Sequence, residues 1–164
     1  MTVTEGPDGR ASRHPILAAA AFAGAYAIVI GLASVPGAIW RRGWIDRDLA
    51  VALLLIAAGA AVAGFLTALV FQLRRARRGS SARFAAAIFL LIVLTAGFDA
   101  LFLYLDYIAY YTQWWPEPFS VHWFFTAATT FVGVFFYYAA VAAPMLLPLG
   151  LPAVFGFAFF LARR

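Results

Sequence analysis

Asp99 and Asp106 stand seven residues apart inside the apolar run from Phe84 to Tyr111, and they are the first candidates for chemistry. A helix starting at Phe84 would carry Asp99 about 22 Å along its axis, beyond the middle of a ~30 Å hydrocarbon layer. Inserting Asp mid-span costs about 2.5–3.5 kcal/mol, so such a residue faces protein or water and is a functional-site candidate by default. The chemistry open to it is proton binding. The plainer role is a hydrogen bond that holds helices together. Thr95, Asp99, Asp106, Tyr110 and Gln113 follow at spacings of 4, 7, 4 and 3 residues, which places them on one helical face.

A second polar stripe follows downstream. His122, Thr126, Thr129, Gly133 and Tyr137 are separated by 4, 3, 4 and 4 residues, again one face. The connection TQWWPEPFS (112–120) is short, so the helices on either side are expected to be antiparallel neighbours. If the stripes face each other, Asp106 lies within reach of His122 near the outer surface. Such a pair would serve general acid–base chemistry, with Asp99 at the inner end of a polar seam. The plainer role for His122 is an interfacial side chain beside Trp114, Trp115 and Trp123.

Metal and cofactor chemistry reads poorly. The chain has no cysteine and two histidines, His14 and His122, which fall at opposite ends of the expected bundle. No bis-histidine haem pair or metal site is expected and no cofactor is predicted, a single axial His122 being the one arrangement left open. There is no phosphate-binding Gly-rich loop, no G-x-S-x-G and no H-E-x-x-H.

The elements that must position these residues follow from composition. Of the 164 residues, 65% are apolar and 12% charged, with a mean hydropathy of +0.90. Soluble domains are about 45–50% apolar and about 25% charged. Lipid is the expected solvent, which excludes disordered chains, nucleic-acid modules and cytosolic enzymes. Four runs predict membrane spans, at about 16–39, 49–73, 84–111 and 120–143. Residues 1–15 are expected to be a disordered cytoplasmic tail, and 16–164 a single transmembrane domain.

The last apolar stretch, 119–162, is too long for one span. Its 44 residues would make roughly 66 Å of helix, twice the hydrocarbon thickness. Pro144, Pro148 and Pro152 each remove a backbone donor, so a break is expected there. The piece 144–162 then becomes a fifth short span, or a re-entrant or interfacial segment. The expected fold is an all-α integral membrane bundle of four helices plus this Pro-broken C-terminal segment.

All 12 basic residues are Arg. With four spans and the N-terminus inside, Arg10, Arg13, the five of 74–83, Arg163 and Arg164 face Arg41, Arg42 and Arg47, nine against three. Five spans reduce this to seven against five. Positive residues favour the inner side, so the expected location is a bacterial cytoplasmic (inner) membrane with a cytoplasmic N-terminus. The net charge of +5 lies between apolar runs and reads as topology signals and lipid headgroup contacts, not nucleic-acid binding.

Small residues mark candidate packing faces. Ala20, Gly24, Ala27 and Gly31 share one side of the first span, Ala60 and Gly64 pair on the second, and Gly133 lies on the fourth. Short loops and a thin polar inventory suit an accessory or assembly subunit, with the bilayer and larger membrane subunits, or a second copy, as partners. The alternative is a small oligomeric transporter or proton-coupled channel using Asp99. A third reading is a lipid-modifying enzyme using Asp106 and His122.

Overall fold

Apolar runs of this length become helices because lipid offers the backbone no hydrogen bonds, so each segment must satisfy its own. The structure, a computed structural model, describes residues 15–43, 47–73 and 79–163. The expected tail and the arginines at 74–78 lie outside the described residues. The elements are α1 (Pro15–Arg42), α2 (Arg47–Leu73), α3 (Ser80–Tyr111), a 3-10 turn (Thr112–Trp114), α4 (Val121–Tyr137), a π segment (Tyr138–Ala142) and α5 (Ala143–Arg163). All five α-helices are long and apolar enough to cross a membrane, α4 together with the first π residues. There is no strand among the described residues.

Local chemistry sets several boundaries. Pro15 opens α1, where its missing N–H costs nothing. Gly43, with φ of +79°, sends its N–H to the Ile39 carbonyl at 2.7 Å and closes that helix. Asp48 lies in the first turn of α2, complementing the positive end of the helix dipole. Ser120 caps α4, its Oγ accepting from the Trp123 N–H at 3.0 Å.

The interruption of the long apolar stretch falls at the π segment, directly before Pro144, and the later prolines do not break the helix that follows. Residues 144–162 are helical within α5, with Pro148 and Pro152 inside it. The accommodation lies upstream, where the Ala143 N–H donates to the Tyr138 carbonyl five residues back. A proline ring at 144 would meet the carbonyl at 140 in a regular α-helix. The wider π turn just before Pro144 relieves that conflict.

α5 is seated in the bundle more deeply than α4. α5 runs antiparallel to α1 from end to end. Its start, Met145, clusters with Ala38 and Leu49, and its Phe157 and Phe160 rings meet Phe22. The same helix closes on α3 at the far end, where Phe84 meets Phe155 and Phe159 and an Arg83 guanidinium nitrogen donates to the Leu161 carbonyl. α4 packs mainly on α3 and the π segment, held by Tyr104, whose hydroxyl donates to the Ala127 carbonyl and whose ring meets Phe131 edge-on.

A topological consequence follows. α4 joins the C-terminus of α3 to the N-terminus of α5, and both lie at the end of the bundle that holds the α1–α2 connection. That end carries the aromatic side chains Trp114, Trp115 and Trp123, in ring contact with Tyr111 or with one another.

Candidate functional site

Among the described residues four polar side chains are buried: Ser34, Thr67, Thr95 and Asp99. Ser34 is explained locally, since its Oγ donates to the Ile30 carbonyl one turn back at 2.7 Å. Asp99 is not. It lies on α3, fully buried, where α3 approaches α2 so closely that Gly59 sits against its Oδ1. A Cβ added at Gly59 would meet that oxygen and come within 2.8 Å of the Asp99 backbone nitrogen. Only glycine fits there.

The two carboxyl oxygens have different environments. Oδ2 accepts a hydrogen bond from the Tyr138 hydroxyl at 3.3 Å. Oδ1 has no hydrogen-bond partner among the described residues. One turn earlier on α3, Thr95 Oγ1 pairs with the Tyr26 hydroxyl of α1 at 3.0 Å. Asp99 thus connects α3 to the π segment, and Thr95 connects it to α1. Tyr26, Thr95 and Tyr138 also line a cavity of about 150 Å³ between α1, α3 and α5. Ile92, Leu147 and Leu151 on its lining are partly exposed, so it opens sideways between α3 and α5.

The remaining residues of the two polar stripes lie outside this site. Asp106, Tyr110 and His122 are exposed, Thr126 is half-buried and Thr129 exposed. The Thr129 hydroxyl donates to the carbonyls of Phe125 and Thr126 on its own helix. No hydrogen bond or ion pair joins Asp106 to His122, so the expected seam is reduced to its inner end, Thr95 and Asp99. Tyr137, expected on the stripe, is exposed, whereas its neighbour Tyr138 is buried. No group of His, Asp or Glu among the described residues is arranged to hold a metal.

The small residues divide similarly. Gly31 packs against Ala57, whose Cβ lies 3.2 Å from the position a Gly31 Cβ would take. Gly64 packs against Tyr26 and Ala23. Gly24 and Gly133 face open space, not a neighbouring helix. Two glycines that the small-residue spacing did not single out make the closest approaches, Gly59 on Asp99 and Gly37 on the Met145 backbone.

The arrangement can hold a proton at Asp99 and can lock the α4–α5 junction to α3. Comparison with protein-family models, with curated proteins and with solved structures finds no match for this chain.

Proposed function

We propose that this chain is an accessory or assembly subunit of a larger membrane complex, and that α4 is the element it presents to its partner. One observation carries this reading. Val134 is the single buried residue of α4, although the helix is apolar or aromatic over most of its length. Phe124, Phe125, Phe131, Phe135 and Phe136 are all exposed on it. Large exposed apolar patches mark protein or membrane contacts, and a helix with one buried residue contributes little to its bundle's core. Site-specific photo-crosslinking from α4 to a larger membrane protein tests the reading.

In this account α1, α2, α3 and α5 cross the bilayer and α4 lies in one leaflet. Both chain ends and the 74–83 connection then share a side, which keeps nine arginines inside against three outside. The location that fits is a bacterial cytoplasmic (inner) membrane, with the N-terminus cytoplasmic.

A second reading rests on Asp99 itself. A fully buried carboxyl with one unpartnered oxygen, linked through Tyr138 to a side cavity, also suits a protonatable site in a small oligomeric transporter or channel. Asp99→Asn separates the two. Flux in proteoliposomes would be abolished under the transporter reading, while partner binding would persist under the accessory reading.

A further inference from the structure

We infer that the proton of Asp99 is a latch, which holds the α4–α5 junction against α3 while bound and frees α4 when it leaves. Asp99 is fully buried between Gly59 of α2 and Tyr138 of the π segment. Its Oδ1 has no hydrogen-bond partner among the described residues and faces Gly59 too closely for a methyl group to enter. A water, of similar size, does not fit between them either. A neutral carboxyl tolerates such a contact, whereas a carboxylate would be left with one donor, the Tyr138 hydroxyl at 3.3 Å. The spans offer no cation to face it: residues 16–40, 49–73, 84–98, 100–105 and 123–162 contain no charged side chain and no histidine. α1 contributes Tyr26, bonded to Thr95 one turn away, and the π segment contributes Tyr138. α2 brings Gly59 alone, and α5 has no titratable group before Arg163.

Ionisation therefore requires a donor or a water at Oδ1, and one of the neighbouring elements must yield. α2 is held along its length, by Ala57 on Gly31, Gly64 on Tyr26, and a core that includes Ile56, Ala60 and Ala68. α4 has one buried residue, Val134, and is held by the two Tyr104 contacts. The movement falls on the π segment and α4. The π turn already departs from regular helical hydrogen bonding, which suits a hinge. The closed form binds the proton, and the open form, with a hydrated carboxyl, need not, so opening is favoured as the pH rises. The latch operates in the isolated chain, whatever α4 binds.

The test is double electron–electron resonance on the full chain in lipid nanodiscs. Spin labels at Phe125→Cys on α4 and Leu54→Cys on α2, both exposed, read the latch, and Leu54→Cys with Phe89→Cys on α3 is the control pair. Between about pH 5 and about pH 9, the α4 pair should pass from one closed distance to a second, distinct one. The ratio of the two populations should change by up to about tenfold per pH unit, the slope for one proton. The control pair should not move. Asp99→Asn keeps an acceptor for Tyr138 and cannot ionise, so it should hold the closed distance throughout. If that variant fails to fold, infrared titration of the chain with Asp99 in place decides, since loss of the buried carboxylic acid C=O stretch must share its midpoint with the distance change. An α4 distance independent of pH, a shift that persists in Asp99→Asn, an equal shift in the control pair, or separate infrared and distance midpoints would overturn the inference.

Discussion

The hydroxyl of Tyr138, the first residue of the π segment, donates to Oδ2 of Asp99 at 3.3 Å and ties the α4–α5 junction to α3. The bond joins residues 39 apart in sequence at a fully buried carboxyl. It fixes where α4 ends and where α5 begins to pack.

Tyr138→Phe therefore leaves Oδ2 without its donor. Removing one partner of a buried hydrogen bond costs about 1–3 kcal/mol. The thermal midpoint in detergent should fall measurably. In an Asp99→Leu background, where no carboxyl remains to orphan, the same change should cost less, and a double-mutant cycle measures the difference.

Gly59→Ala should be destabilising despite the better helix propensity of alanine. Its Cβ would be driven into Asp99, including a backbone nitrogen that cannot swing aside. Overpacking of this kind costs about 1–3 kcal/mol. Gly24→Ala, with nothing within 4 Å of the new Cβ, should be neutral or slightly stabilising. Thermal unfolding of the pair in one detergent checks both.

Tyr104→Ala removes both contacts described between α4 and α3, the bond to the Ala127 carbonyl and the edge-on ring contact with Phe131. The packing of α1, α2 and α5 does not depend on it. The expected outcome is faster proteolysis or deuterium exchange confined to α4, with α1, α2 and α5 unchanged.

The chain has no cysteine, so single cysteines report sidedness directly. Ser81→Cys and Arg163→Cys should be labelled by an impermeant reagent from the same side of the membrane. Glu117→Cys should be labelled from the other. Labelling of Arg163→Cys and Glu117→Cys from one side would contradict four traversing helices.

Asp99 was legible in the sequence because a carboxylate in an apolar run has few explanations. Its partners were not. Gly59 sits in an Ala-rich helix where several positions are equally small, and lipid-facing and core-facing surfaces are both apolar, so no period marks the inner face. Tyr138 was missed because the polar stripe through Gly133 pointed to Tyr137, whereas the inward face of α4 is the one that carries Val134, one regular turn before Tyr138. The lengths of the apolar runs were readable, yet the roles of α4 and α5 were not. Hydropathy is high in both, and what seats α5 is the close fit of Gly37 against the Met145 backbone, which hydropathy does not register.

The most direct test of the proposed role places a photo-crosslinking residue at Phe125 or Phe136 on α4, and at Leu54 and Phe89 as exposed controls on α2 and α3. The account predicts that the α4 positions crosslink to one larger membrane protein, which also copurifies stoichiometrically in mild detergent, while the controls do not. Recovery of the chain alone or as a homo-oligomer, with α4 crosslinking no more than the controls, would contradict it.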